Sequence, residues 1–389
     1  MSIASEQAAE YDKKTSGPDY YNLGIGPVKL RFQGEMAVTL NDNVEYTDAN
    51  RQSDIIFTPG INLGVYWPVT EQNTLQFHTG IGYVDYLKTT SLSHIYVTPD
   101  SALEFKMYTG DFVINFHDRF SLVEDVAQSP TVSGTGEFGQ LENTTGVGVD
   151  WDLNKLILSL SCDYDLLDAT TPNYSYIDHG SELFTLKAGF VLHETTKLGL
   201  ELGGGITTYN QPILNNNTDW SIGPYYEAQL SEHISAKASG GYVSYMFTPN
   251  STTNAVVSTP NVSGIAGYYA DLSLTHQVNS WLEQTLSAGR QFQLGVTANL
   301  VDLYYARYQA AWGFIRNVNL TTQLQYQHGT TSDGVLQTLS IYSGGIGVSY
   351  DITQKLNGSV NYLLQVKRAD PASYNYVQNQ LVFDFKYSF

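Results

Sequence analysis

The chain has 389 residues, 38 of them acidic and 19 basic, which gives a formal net charge of -19. Charged residues make up 15% of the chain, below the roughly 25% of ordinary soluble domains. The acidic balance excludes a basic nucleic-acid-binding face, and the single Cys162 excludes a disulfide framework and a multi-thiolate metal site. No apolar run reaches the roughly 18 residues of a transmembrane helix. A large soluble all-β protein and a transmembrane β-barrel remain.

The N-terminal residues carry no targeting pattern. Met1 is followed by a polar stretch over 2–14, without a basic region and an apolar core. We therefore expect that the signal peptide of an exported protein has been cleaved from this sequence or was never part of it. We predict a periplasmic N-terminal segment over 1–26 and a single barrel domain over 27–389.

A two-residue periodicity runs through most of the chain. Between 155 and 166, Leu156, Leu158 and Leu160 alternate with polar residues, and 197–207 and 219–230 repeat the pattern. Successive side chains of a strand point to opposite faces, so each segment has one apolar and one polar face. The chain is therefore predicted to be all-β. The predicted strands are 28–48, 53–67, 73–87, 90–98, 102–122, 143–153, 155–167, 181–192, 197–209, 218–230, 234–247, 263–277, 281–296, 300–314, 318–330, 337–351, 355–368 and 376–389.

The connections between these strands alternate in length. Short connections are predicted at 68–73, 153–155, 193–197, 230–233, 316–319 and 351–355. Longer polar connections are predicted at 123–143, 168–180, 210–218, 249–262 and 369–375. Tight periplasmic turns and longer outer loops are typical of outer-membrane barrels, which have an even number of strands. We predict a transmembrane antiparallel up-and-down β-barrel of about 18 strands, with 16 as the alternative.

Two local features strain this scheme. Pro59 and Pro224 fall inside predicted strands, where a closed barrel offers no free edge for a residue without an N–H group. We interpret both as bulges or strand ends near a rim. Within 102–122 the apolar residues change from odd-numbered to even-numbered positions, and a bulge near Thr109 and Gly110 would explain the change.

Aromatic residues support the membrane alternative. Tyr and Trp cluster toward segment ends, as amphipathic rings do at a membrane interface, although cross-strand pairs in a soluble sheet would also explain them. The last segment alternates strictly and ends in Phe389, the final residue. This pattern is similar to the signal that the barrel-assembly machinery of the outer membrane reads. We therefore predict an insertion signal formed by Phe385, Tyr387 and Phe389, and a location in the bacterial outer membrane.

Several segments resemble a known family. They are 23–28 (Leu-Gly-Ile-Gly-Pro-Val), 40–44 (Leu-Asn-Asp-Asn-Val), 51–57 (Arg-Gln-Ser-Asp-Ile-Ile-Phe) with Pro59, Gly110 with Asp111, 114–120 (Ile-Asn-Phe-His-Asp-Arg-Phe), 151–154 (Trp-Asp-Leu-Asn) and 353–356 (Thr-Gln-Lys-Leu). The chain resembles the porin-2 type of β-barrel outer-membrane proteins over its whole length. The resemblance implies an outer-membrane barrel, and some relatives are encoded beside exopolysaccharide operons. It provides no catalytic residue and little about the substrate.

Enzymatic chemistry finds little support in the residues. His94, His117 and His179 lie near predicted outer ends, but the sequence contains no G-x-S-x-G elbow. Acidic pairs such as Asp163 and Asp165 do not have the spacing of a calcium loop. We therefore predict no catalytic residue, no metal site and no cofactor, although acidic outer loops could bind divalent ions at low specificity.

A lumen of about 18 strands is too wide to be filled by side chains of the wall. The charges on the polar parity are mixed in sign, and we predict that they line the pore: Lys29, Arg31, Glu35, Lys187, Lys197, Glu201, Glu227, Lys237, Asp271 and Arg307. The longest loop, 123–143, is the third outer loop, and the corresponding loop of general porins narrows the pore. Its constriction candidates are Glu124, Asp125, Glu137 and Glu142, and carboxylates in a constriction favour cations. An equally weighted alternative is a loop that only decorates the surface.

Two functional classes remain open. The first is a porin-like channel for passive diffusion of small hydrophilic solutes, either weakly cation-selective or open to neutral solutes. The second is an accessory or scaffold barrel of a larger envelope assembly, such as one for exopolysaccharide export. The expected partners are outer-membrane lipid and lipopolysaccharide, the assembly machinery during biogenesis, and other protomers in a trimer or a larger complex. Nucleic acid is not among them.

Overall fold

The computed structural model describes residues 21–124, 126–248, 264–332 and 335–389, in which all 20 strands belong to one antiparallel sheet. The strands are β1 (Leu23–Ile25), β2 (Val28–Asn41), β3 (Asp54–Thr70), β4 (Asn73–Tyr86), β5 (His94–Val97), β6 (Ala102–Thr109), β7 (Phe112–Glu124), β8 (Gly139–Asp152), β9 (Leu156–Ala169), β10 (His179–His193), β11 (Thr196–Tyr209), β12 (Asn217–Ser231), β13 (Ile234–Phe247), β14 (Gly264–Asn279), β15 (Leu282–Leu294), β16 (Leu300–Ile315), β17 (Val318–Thr331), β18 (Thr338–Asp351), β19 (Leu356–Asp370) and β20 (Tyr376–Ser388). The connections that the structure describes contain four short 3-10 helices, at Thr90–Leu92, Val126–Gln128, Pro172–Ile177 and Ala372–Tyr374. Within the described ranges, no helix is long and apolar enough to cross a membrane.

The sheet closes on itself between its first and last long strands. β2 pairs with β3 on one side and with β20 on the other, over nine register pairs from Gln33↔Ser388 to Asn41↔Gln380. β5 and β6 both pair with β4 and with β7, so together they occupy one position in the wall. β1 only extends the start of β2 as a three-residue hairpin. The barrel therefore has the predicted 18 strand positions, and the 16-strand alternative is wrong.

The predicted strand over 102–122 is in fact two strands. β6 ends at Thr109, β7 begins at Phe112, and the two pair with each other through a tight turn. Gly110 in this turn has a φ of 57°, the left-handed region that glycine adopts without steric cost. The bulge interpretation was wrong. A two-residue turn and a bulge both change whether odd-numbered or even-numbered residues face outward, so the sequence pattern alone does not distinguish them.

The two prolines inside strands are not at bulges either. The register between β3 and β4 is the same on both sides of Pro59, with Phe57 opposite Asp85 and Gly60 opposite Gly82. A bulge would shift this register by one residue. Pro59 and Pro224 each pair with the preceding strand and are unpaired toward the following one, so the ladder skips the missing donor without breaking its register.

One face of each long strand exposes apolar side chains. On β11, Leu198, Leu200, Leu202 and Ile206 are exposed, and the residues between them point to the lumen. The same alternation holds on β2, where Phe32, Met36 and Leu40 are exposed. A continuous exposed apolar band around a closed barrel is the lipid-facing surface of a transmembrane barrel.

The two ends of the barrel differ. One end carries the short turns, and we call it the turn end. The other end carries the connections of five residues or more, and we call it the loop end. Four of the five tryptophans lie exposed at the turn end, where amphipathic rings are expected at the membrane interface. They are Trp67, Trp151, Trp281 and Trp312.

Near the loop end, β14 and β15 are not paired along their whole length. The ladder between β14 and β15 stops at the pair Ala270↔Arg290. Beyond this pair, β14 continues to pair with β13 as far as Gly264, and β15 continues to pair with β16 as far as Leu294. The two strands therefore part, and the tip of the β15–β16 hairpin leaves the plane of the wall.

Candidate functional site: the lumen and its loop-end cavity

The ten predicted pore-lining residues share one face of the wall. They lie on the strand face opposite to the exposed apolar side chains, as Glu201 does relative to Leu200 and Leu202. Their role in lining a conducting pore stays a prediction. The residues are Lys29, Arg31 and Glu35 on β2, Lys187 on β10, Lys197 and Glu201 on β11, Glu227 on β12, Lys237 on β13, Asp271 on β14 and Arg307 on β16.

Half of these residues form one charged cluster on β10–β13. The Nζ atom of Lys187 lies 2.9 Å from Oε2 of Glu201. Glu227 stands directly opposite Lys197 on one neighbouring strand and Lys237 on the other. Because charges of both signs alternate around the wall here, the cluster carries little net charge.

A second cluster spans the closure of the barrel. The Nζ atom of Lys386 lies 3.4 Å from a carboxylate oxygen of Glu35 and 3.4 Å from one of Asp384. The candidate set omitted both residues of the last strand. The alternation of that strand would have placed them in the lumen, because its aromatic residues face outward.

A third charged cluster lies on β6–β9, and the sequence pattern did not predict it. Glu104 is buried between Lys106 at 3.0 Å and Arg119 at 3.3 Å. On the adjacent strands, Nε2 of His117 lies 2.8 Å from Oδ1 of Asp163. Reading 102–122 as one bulged strand concealed the turn, and the lumen parity of β6 could not be assigned correctly.

The third long loop is shorter than predicted. β7 extends to Glu124 and β8 begins at Gly139, so the loop covers 125–138 rather than 123–143. Of the four constriction candidates, Glu137 lies in this loop, while Glu124 and Glu142 belong to the flanking strands. Oε2 of Glu124 lies 3.1 Å from Nδ1 of His94. Asp125 falls outside the described residues.

This loop extends to other parts of the wall. Lys367, which faces the lumen from β19, donates hydrogen bonds to the carbonyl of Val132 at 2.9 Å and to Oγ of Ser133 at 2.8 Å. The backbone N–H of Val296, between β15 and β16, donates to Oγ1 of Thr131 at 3.4 Å. Both partners, Lys367 on β19 and Val296 between β15 and β16, lie far from β7 around the wall. The loop therefore crosses the loop end of the barrel to reach them.

An apolar cluster holds the loop in this position. Val126, Val132 and Phe138 of the loop are buried, and Val132 is 3% exposed. They pack with buried side chains from the other long connections and the adjoining strand ends, which are Tyr46, Tyr176, Ile177, Tyr209, Leu214, Val296 and Tyr376. Burial in this cluster raises the pKa of the Tyr176 phenol, so its hydroxyl stays neutral.

A cavity of about 370 Å³ lies between the loop and the wall of β8–β13. One row of its wall is formed by residues directly opposite one another on successive strands, in the order Asp165, Ser181, Thr207 and Asn217. The hydroxyls of Ser181 and Thr207 lie 2.9 Å apart, and Thr144 donates to Oδ1 of Asp165 at 2.6 Å. Cross-strand neighbours of this kind lie about 5 Å apart, so the row forms a continuous polar strip.

Aromatic groups also line the cavity beside this strip. Tyr209, Tyr245 and Phe292 line the cavity, and the Tyr245 and Phe292 rings are 6.3 Å apart between centroids. His179 donates its Nδ1–H to the carbonyl of Ile177 at 2.7 Å, so Nε2 is the ring's other polar atom. Within the described residues, no group of three or more His, Cys, Asp or Glu side chains is arranged to hold a metal ion.

The fold matches solved structures although the sequence matches no family model and no curated protein. A BenF-like porin from Pseudomonas fluorescens Pf-5 is similar with a TM-score of 0.53 and 10% identity, over 94% of this chain and 100% of that chain. Pseudomonas aeruginosa OccK2 (OpdF), solved in complex with glucuronate, has a TM-score of 0.52 and 9% identity, over 93% and 98%. OccK5 (OpdH) of the same organism has a TM-score of 0.51 and 9% identity, over 94% and 99%. The chain therefore has the porin fold.

Proposed function

We propose that the protein is an outer-membrane channel for passive diffusion of small hydrophilic solutes. The observation that carries this proposal is the closed barrel of 18 strand positions, with apolar side chains outside and charged side chains of both signs inside. Wall side chains cannot fill a barrel of this circumference, so its lumen holds water. The turn end then faces the periplasm and the loop end faces the outside.

We further propose that the channel is weakly cation-selective or prefers neutral solutes. Glu137 lies in the loop that crosses the loop end, and Glu142 lines the adjacent cavity. Carboxylates at a narrow part of a pore favour cations. The mixed charges of the wall below keep the preference weak.

Reversal potentials in planar bilayers test this proposal. Under a KCl gradient, the purified barrel should give a potential with the sign of modest potassium preference. Replacing both Glu137 and Glu142 by Gln should move the potential toward zero, whereas Glu283→Gln, at the exposed turn end, should leave it almost unchanged. A potential of the opposite sign would overturn the selectivity. Proteoliposome swelling in sugars of graded size tests permeation of uncharged solutes.

The surroundings of the barrel are part of the same proposal. The exposed apolar band would contact outer-membrane lipid and lipopolysaccharide, and the last strand would be read by the barrel-assembly machinery. Association into a trimer or a larger envelope complex, and kinship with porin-2 type proteins, are likewise proposed. Chemical cross-linking in intact outer membranes, followed by mass determination, tests the oligomeric state.

A scaffold role in an envelope assembly, such as one for exopolysaccharide export, is the second candidate. The observation that favours it is the apolar cluster of Val126, Val132, Phe138 and their partners, which packs several long connections together across the loop end. A correctly folded barrel that inserts into bilayers without ion current would favour this role. Ion current with graded sugar permeation would favour the channel.

A further inference from the structure

We propose that the loop-end cavity is a binding site for a small polyhydroxylated amine, an aminated sugar being the simplest member of that class. The inference rests on the proposed channel function and names the solute class that the channel prefers. Its volume of about 370 Å³ lies within the range of roughly 300–1,000 Å³ that small-molecule sites occupy.

Asn217 is the observation that points to a ligand. Its side chain lines the cavity and is 3% exposed, yet neither its Oδ1 nor its Nδ2 atom has a hydrogen-bond partner. A buried amide without partners costs free energy that a ligand could recover by supplying both a donor and an acceptor. Hydroxyl groups supply both.

The polar strip next to Asn217 extends this recognition. Thr207 stands directly opposite Asn217, and Ser181 stands opposite Thr207. Each hydroxyl can donate one hydrogen bond and accept others. Beside the strip, the rings of Tyr245 on β13 and Phe292 on β15 also line the cavity and offer apolar faces. A compact molecule that carries both several hydroxyls and exposed C–H groups matches this mixed lining.

The charge of the lining selects an amine among such molecules. Three carboxylates line the cavity, Glu142, Asp165 and Asp219, and among the described lining residues none is Lys or Arg. Asp219 stands opposite Tyr245 on β13. It follows Asn217 by two residues on β12, so both side chains lie on the same face of the strand. An ammonium group placed here would gain charge-assisted hydrogen bonds, whereas a carboxylate on the ligand would be repelled.

Three sugars that differ in one functional group give the test. Equilibrium binding of glucosamine, glucose and glucuronate to the full-length barrel in detergent is followed by saturation-transfer NMR. We expect affinity to fall in the order glucosamine, glucose, glucuronate, with about a tenfold step between the first two because a charged hydrogen bond is lost.

Variants locate the site. Asp219→Asn should remove the advantage of glucosamine and leave glucose unchanged, while Asn217→Leu should weaken both sugars. Asp150→Asn, on the lumen face of β8 outside the cavity, is the matched control and should keep the full preference. Heat-modifiable migration on gels confirms that each variant is folded.

The outcomes separate this inference from the channel proposal. Glucuronate binding as well as glucosamine, or Asp219→Asn with an unchanged preference, would overturn the site. If ion current and sugar permeation are normal in that case, the channel proposal stands. Selective binding by a barrel that carries no current would overturn the channel and leave the site in place.

Discussion

Lys367 is fully buried, and its Nζ atom donates a 2.9 Å hydrogen bond to the backbone carbonyl of Val132, 235 residues away in the sequence. The side chain thereby fastens the loop over 125–138 to the wall at β19. Lys367 also donates to Oγ of Ser133. The Ser133 hydroxyl in turn donates to the carbonyl of Tyr374 at 3.0 Å, which connects the loop to the β19–β20 connection.

Lys367→Met is expected to release this loop. The variant removes the donor to Val132 and Ser133, and an intramolecular hydrogen bond contributes about 0.5–1.5 kcal/mol. Hydrogen exchange of amides over 131–134 should accelerate, and single-channel current should become noisier. Lys355→Met, in an exposed turn at the opposite end, is the control. Unchanged exchange over 131–134 would contradict the role of Lys367 as an anchor.

Gly267→Ala is expected to destabilise the barrel through a collision with Phe292. A Cβ atom at Gly267 would lie 2.7 Å from Cζ of the Phe292 ring, so the ring must move, and overpacking of this kind costs about 1–3 kcal/mol. Gly344→Ala is the matched control because its nearest neighbour would be at 3.6 Å.

A double-mutant cycle checks this explanation. Phe292→Ala in the Gly267→Ala background should recover most of the lost free energy of unfolding, measured by urea titration in lipid vesicles. Additive losses from the two substitutions would show that the collision is not the cause.

Leu202→Arg is expected to destabilise the barrel by about 2–4 kcal/mol, the cost of a basic side chain near the middle of the lipid-facing surface. Leu202 is exposed midway along β11, between Leu186 and Ile222 on the neighbouring strands. Ser239→Arg, midway along β13 on the lumen face, should be tolerated because it lies opposite Asp271. Equal losses in vesicle unfolding would contradict the assignment of the two faces.

Phe389→Ala is expected to slow assembly in cells while changing stability little. The ring is exposed and lies beside Gly34 and Tyr387, with 5.2 Å between the two ring centroids, and the backbone N–H still donates to the carbonyl of Phe32. The fraction of folded barrel in outer membranes should fall, whereas unfolding in vesicles should not change. Phe32→Ala, another lipid-facing ring, should leave assembly in cells unaffected if the last strand carries the signal.

Alternation, together with the lengths of the connections and the last strand, predicted the barrel. The number of strand positions agreed because β5 and β6 share one position, so the two predicted strands 90–98 and 102–122 still correspond to two positions. The parity rule works because each wall residue faces either lipid or lumen, as the row of Leu186, Leu202 and Ile222 shows. The parity rule gave a wrong interpretation at Gly110, because a turn and a bulge produce the same change of apolar parity in the sequence. The short β5 was recognised, but its continuation as β6 was not, because residues 98–101 interrupt the strand.

The cavity could not be predicted in the same way. The residues of its polar strip are Asp165, Ser181, Thr207 and Asn217. Parity places these side chains on the lumen face, but it does not predict that they lie at the same level along the barrel axis. That depends on the stagger between strands, which the lengths of the connections set only loosely. The opposite side of the cavity depends on the path of the loop, which is fixed by contacts such as Lys367 with Val132 over long sequence separations.

The parting of β14 from β15 beyond Ala270 and Arg290 makes the cylinder mechanically uneven. Where strands are fully paired, the cross-strand ladder distributes a deforming force around the circumference, but β14 and β15 lack those bonds toward the loop end. The contacts across the seam there are made by side chains, such as the Arg290 guanidinium over the Tyr268 ring at 4.1 Å and the Phe292 ring close to Gly267. We therefore expect the wall to deform more easily along this line than along a fully paired pair of strands.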